Sequence, residues 1–378
     1  MANQTVATPR FYLDFTQLAK AKGYREYTTS YSENLSSDDD PKNLNVWDFD
    51  YAKTTNYTAN TSGSSDLTFN CPPFWAEGED VWDWSKLMST VNFAGFINHN
   101  LYSSYGTQGD VVPKIIPQWF GDDEISIAET ASPSFNCGGS SSLEADGYSI
   151  MHISPTAQFA NIDQRARAGQ FKMGIGVEGD LSSDVNFDIG AITFGKYIDM
   201  PHSPDLSVKK SVEYDGVKIS RSLGGSDIVQ VNHQGCPDWL VGEPWVLKPY
   251  GADNGVKGNG RIGRNGRRSW DLNFSYISND DLFYDLRERT VGGASRQEGQ
   301  NYDEGSVAPT NEIQLLWDLT LGGALSFMFC PDKDATFTYS DSDDFAEFAV
   351  CRLDQDSLVA TQVAHQTWNI SMRVVEVW

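Results

Sequence analysis

Five basic side chains, Lys257, Arg261, Arg264, Arg267 and Arg268, lie in Gly-rich chain with no acidic residue from Asn254 to Trp270. Ammonium and guanidinium groups at this density can hold carboxylate or phosphate. The glycines do not make a nucleotide cradle, because GVKGNGRIGRNG does not open a helix after a strand. The run reads as a loop whose cations face an acidic neighbour. All five residues are therefore candidate subunit contacts.

No other constellation carries recognisable chemistry. GxSxG, HExxH, CxxC and phosphate-loop patterns are absent. The histidines, His99, His152, His202, His233 and His365, lack metal-ligand spacing. His202, between Pro201 and Pro204, reads as a hydrogen-bonding linker residue. Asp38, Asp39 and Asp40 lack the ligand spacing of a calcium loop and read as a solvated acidic turn. Glycosidase chemistry needs two carboxylates at a set separation, and no motif marks such a pair. The expectation is a non-enzyme with no cofactor and no metal. Cys71, Cys137, Cys236, Cys330 and Cys351 are odd in number, which points to reduced, mostly buried thiols rather than a disulfide framework.

The element that must position the basic run follows it directly. In Gly266–Phe283, Trp270, Leu272, Phe274 and Tyr276 alternate with Asp271, Asn273 and Ser275. A period of two with an aromatic face predicts a half-buried strand, closed by a turn at Ser278–Asp281. Similar short runs recur along the chain. Phe11–Phe15 predicts a strand and Thr16–Lys22 a short helix. Tyr148–Ile153, Gly169–Val177, Val185–Phe187 and Ala191–Ile198 predict further strands, as do Ala324–Phe329, Phe345–Leu353 and Thr367–Val374. Asn311–Leu321 carries the best helical pattern, capped by Thr310 and stopped by Gly322-Gly323.

The fold class expected is mainly β: a ring-forming β-sandwich domain with one short helix, plus an inserted jelly-roll or galectin-like β-sandwich domain. The boundaries read as 1–114 for the N-terminal part of the assembly domain, 115–200 for the insertion and 201–378 for the remainder. Aromatics are dense between Leu67 and Ile97. Trp75, Trp82 and Trp84 there, with Phe135 and Tyr148, are candidate glycan-stacking or interface residues.

The formal net charge is -24, which argues against specific nucleic-acid binding through phosphate neutralisation. The charge is unevenly spread. Residues 1–160 carry 8 basic and 20 acidic side chains, residues 301–378 carry 3 and 13, and residues 201–300 carry 13 of each. A neutral block between acidic ones predicts complementary surfaces between copies of the chain. No apolar run is long enough to span a membrane, and MANQTVATPR lacks a signal core.

Several ordered segments resemble a family of tailed-bacteriophage virion proteins. They are Phe194–Lys218, Gly266–Phe283, Leu319–Asp332, Phe348–Gln355 and Ile370–Trp378, with ATPRFYLDF near the start. The resemblance covers about half the chain in patches. It implies a tail or baseplate structural protein, similar in plan to distal tail proteins, which form hexameric rings between tail tube and baseplate. It also implies assembly in the host cytoplasm, a place in the virion, and partners among other tail and baseplate proteins. The alternative is a glycan-binding, lectin-like host-recognition protein of the virion. An acidic subunit suits a ring around a DNA conduit, because a basic wall would trap passing phosphates.

Overall fold

The structure is a computed structural model. It describes residues 6–22, 35–37, 45–47, 49, 54–59, 67–70, 91–106, 112–121, 147–152, 168–178, 183–213, 217–231, 266–282, 312–334 and 349–377. The chain is mainly β and divides into two compact units. The first comprises Tyr12–Ile198 and Ser278–Leu321, the second Met1–Phe11, Asp199–Ile277 and Gly322–Trp378.

The first unit takes the end of β1 (Arg10–Asp14), then β2 (Leu35–Ser37), β3 (Thr55–Ala59), β4 (Leu67–Asn70) and β5 (Phe93–His99). It continues with β6 (Val112–Gly121), β7 (Gly147–His152), β8 (Ala168–Glu178) and nearly all of β9 (Val185–Asp199). Its helices are α1 (Phe15–Ala21), α2 (Leu101–Gly106), α3 (Asn279–Leu282) and α4 (Glu312–Leu319). Two of these four, α1 and α4, match the helices expected at Thr16–Lys22 and Asn311–Leu321.

The strand β9 is read from the sequence as two strands, because Asp188–Gly190 interrupts the apolar pattern. It is one strand with two partners. Its first half pairs with β3, from Thr55↔Ile189 to Ala59↔Val185, and there it alternates buried and exposed. Its second half pairs with β5, from His99↔Ile189 to Phe93↔Gly195, and there it is buried throughout. Continuous burial means both faces are covered, so the period-two signal vanishes. Gly195 is required where β9 passes β1: a Cβ there would lie 2.0 Å from the Leu13 carbonyl oxygen.

The segment 115–200 does not form one sheet. β8 pairs with β4 and β6 in a separate three-stranded sheet, while β7 and β9 pair with β5. The compact units divide at 11/12, 198/199, 277/278 and 321/322 instead of at 114/115 and 200/201. Strand partners 47 to 108 residues apart leave no local trace that would place such a boundary.

The second unit contains β10 (Lys209–Glu213), β11 (Val217–Arg221), β12 (Asp227–Val231) and all but the last residue of β13 (Arg267–Ser278). It also contains β14 (Phe327–Cys330), β15 (Ala349–Leu353), β16 (Ala360–Ala364) and β17 (Thr367–Glu376). Its main sheet runs β10-β13-β17-β15-β14, and β16 pairs with β17. Chain before β1 is tied to the same unit, Ala7 N–H donating to Pro331 O at 3.1 Å and Lys333 N–H to Thr8 O at 2.9 Å. β11 and β12 make a separate two-stranded hairpin.

Trp270, Leu272 and Phe274 are fully buried, as the alternation in β13 predicts. Tyr276 is not: it is 78% exposed, with φ 64°. The positive φ turns its side chain outward and hands the inner position to Ile277, which is buried. The Tyr276 N–H donates to Asn369 Oδ1 at 3.1 Å, so the irregularity keeps its hydrogen bond. The turn expected at Ser278–Asp281 is α3, opened by Ser278: Asp281 N–H donates to Ser278 Oγ, and Ser278 Oγ–H donates to Asp281 Oδ2. The best sequence helix appears as α4, with Ile313 and Leu316 buried. It ends where Leu321, Gly322 and Gly323 all take positive φ.

Candidate functional site

The basic run does not behave as one loop. Lys257, Arg261 and Arg264 lie outside the described residues. Arg267 and Arg268 are the first residues of β13. Arg267 stands opposite Glu213 in the β10 register.

Arg268 is withdrawn as a candidate subunit contact. Its side chain is buried and donates from Nε and Nη2 to the Glu376 carboxylate at 3.3 and 3.0 Å. Its backbone N–H donates to the same group at 2.8 Å. Its guanidinium carbon lies 5.2 Å from the centre of the Trp270 ring. A buried cation so paired serves the fold and has nothing left to offer a neighbour. The signal that could have found this lies in β17. There Ile370, Met372, Val374 and Glu376 occupy successive inward positions. A carboxylate on an inward row calls for a buried cation.

On the other face of the second unit's sheet, charge is arranged in exposed pairs. Arg373 on β17 bonds Glu213 on β10, and lies 3.8 Å from Asp271 on β13 and 3.6 Å from Asp354. Arg352 reaches Asp354 at 3.3 Å and Lys209 reaches Asp271 at 3.9 Å. Each of these side chains is more than a third exposed, so the network contributes little stability. Its acids and bases neutralise each other across four neighbouring segments.

Two histidines of the first unit are placed on adjacent strands. Buried His99 on β5 accepts the Leu101 N–H at Nδ1, 3.3 Å away. The proton of the neutral ring then sits on Nε2, which donates to Ser149 Oγ at 2.9 Å. A ring that already donates to a serine cannot take that serine's proton, so the pair is not a nucleophile and its base. His152 on β7 contacts Tyr12 through Nε2 and the phenolic oxygen at 2.8 Å, with the rings stacked at 5.8 Å. Tyr197 lies 5.1 Å from the His152 ring. His202 contacts Ser203 O through Nδ1 at 2.7 Å, in keeping with a linker role.

One carboxyl is strongly perturbed. Asp14 caps α1, accepting from Thr16 N, Gln17 N and the Thr16 hydroxyl at 3.3, 3.2 and 2.5 Å. Thr193 Oγ1 donates to it from β9 at 3.3 Å. Burial raises its pKa to about 6, and these donors only partly offset that rise. Both oxygens are engaged by neighbours, so the group acts as a helix cap.

Of the aromatic candidates, Phe135, Trp75, Trp82 and Trp84 lie outside the described residues, as does the turn Asp38–Asp40. Tyr148 is on β7, opposite Ile97 of β5. Cys330 and Cys351 are buried, and Cys330 Sγ donates to Asp332 O at 3.0 Å. Among the described residues no three His, Cys, Asp or Glu side chains converge as a metal site, and no helix is long and apolar enough to cross a membrane.

No protein-family model matches the chain, and comparisons with curated proteins and with solved structures return no match.

Proposed function

We propose that the chain is a structural component of a bacteriophage tail or baseplate, a distal-tail-like ring subunit between tail tube and host-recognition apparatus. One observation carries the reading. The segments that resemble virion proteins are scattered in sequence, yet they supply β13, β17, β15 and β14, four consecutive neighbours in one sheet. The opening segment joins the same unit through Ala7 and Thr8. Patches that resemble a family only by chance would not be expected to converge on one folding unit.

On this reading the second unit is the ring-forming part, built as a β-sandwich. The ring is a homo-oligomer, a hexamer. The protein carries no catalytic step, and its surplus of acid faces the DNA path, where it repels passing phosphates.

The test is location in the particle. Antibodies raised against the purified chain should place gold label at the tail or baseplate of intact virions from the source phage. Peptides of the chain should also appear in mass spectra of gradient-purified particles. Label on capsids alone, or absence from washed particles, would overturn the assignment.

A further inference from the structure

Two segments of the second unit expose clustered apolar side chains. The first is the hairpin β11–β12. Residues 218–230 are exposed throughout, apart from half-buried Ser222. Ile219 and Val229 stand directly opposite each other, so they share a face. They are 67% and 58% exposed. The turn itself is well made: Ser222 N–H donates to Ser226 O at 2.9 Å, Ser226 N–H donates to Ser222 Oγ at 3.0 Å, and Gly225 has φ 85°. An isolated two-stranded hairpin is marginal in water unless something covers its apolar face.

The second segment is β16 with its approaches. Among the described strands it pairs with β17 alone. Residues 361–366 are exposed, and Val359 and Val363 are 61% and 46% exposed. From Ser357 to Met372 there is no Asp, Glu, Lys or Arg. Sheet edges are usually blunted by charge or proline, and this one has neither.

Charge selects the partner. A cationic protein would seek the acidic bulk of this chain. Two copies at -24 each repel, and can meet only where acid is absent or already paired. Both arms meet that condition. The only acid of β11–β12, Asp227, lies 3.4 Å from Arg221, and β16 has none. A ring requires two different patches on each subunit, one meeting the other around the circle.

We infer that the Ile219/Val229 face of the β11–β12 hairpin docks on the uncharged β16 arm of a second copy, head to tail. The inference rests on the assembly reading above and names its contact surface. These arms are held by hairpins, β11 with β12 and β16 with β17.

Sedimentation velocity on the full chain tests it, over a range of protein concentrations. One variant carries Ile219→Glu and Val229→Glu, the other Val359→Glu and Val363→Glu. Leu206→Glu is the control, changing an exposed apolar residue outside both arms. Wild type should self-associate, and each arm variant should weaken association by at least about 30-fold at an unchanged melting temperature. The control should associate like wild type. Mixing the two arm variants should restore a one-to-one pair, since each keeps the side the other lacks. If either arm variant associates like wild type, or the mixture fails to pair, the arm contact is overturned while the tail assignment stands on its own test. An equal loss in the control also overturns it, since added negative charge alone would then be the cause. A wild-type chain that stays monomeric overturns both the contact and the ring, and leaves the arms to a different protein.

Discussion

Arg268 and Glu376 lie 108 residues apart in sequence and share three hydrogen bonds with both side chains out of water. They fasten the start of β13 to the end of β17. Removing one partner leaves a buried charge without its counterion. Arg268→Ala should cost about 3–5 kcal/mol of unfolding free energy by urea titration. Replacing both partners together, Arg268→Met with Glu376→Leu, should cost much less. If Arg268→Ala matched wild type, the buried pair would have no structural role.

Asp14 gives a pH dependence of defined sign. Its folded pKa of about 6 lies above its ordinary value of 3.8. Between these values the folded chain holds a proton that the unfolded chain has lost. Stability from this group is therefore complete below the unfolded value and falls as pH rises through about 6. Asp14→Asn keeps an oxygen for the helix cap and removes the titration. Relative to wild type, the variant should gain up to about 3 kcal/mol between about pH 4 and pH 7. Chemical denaturation of both proteins across that range measures the difference, and a flat difference would refute the shift.

Tyr276 should prefer to be glycine. Its backbone sits at φ 64° and its ring is largely in solvent, so little burial is lost on truncation. Tyr276→Gly should leave stability unchanged or raise it by up to about 1 kcal/mol, whereas Tyr276→Val should cost about 1–2 kcal/mol. Thermal melts rank the three chains. A valine variant as stable as the glycine one would mean that the irregularity relaxes away.

Gly195 allows no side chain. A methyl group there would meet the Leu13 carbonyl oxygen within 2.0 Å. Gly195→Ala should destabilise the chain by at least about 2 kcal/mol, or prevent folding, as read by circular dichroism and melting. Gly224 is the matched control, since its nearest outside atom is 3.9 Å away. Its alanine variant should fold normally.

What was legible in the sequence follows the reach of each signal. The face Trp270, Leu272 and Phe274 is local alternation against one core, and it held. Tyr276 broke the pattern because backbone sign, not hydropathy, decides where a side chain points. Helix α4 was legible from its apolar spacing and the two glycines that end it. β9 reads as two strands because Asp188–Gly190 breaks its apolar run, just where its partner changes from β3 to β5. Arg268 was read as part of a loop because its reason for burial, Glu376, lies in the last strand. The exposed arms were missed as well. Hydropathy does not report whether a strand's apolar face is covered.

The interleaving of the two units orders their completion during synthesis. Every segment of the first unit has been made once Leu321 is added, but the second still lacks Gly322–Trp378. Phe11 is made 316 residues before Phe327, the first residue of β14, which shares its unit. At roughly 5–20 residues per second, this leaves the early segment without that partner for on the order of tens of seconds. Premature termination anywhere after Leu321 should therefore spare one unit and orphan the other.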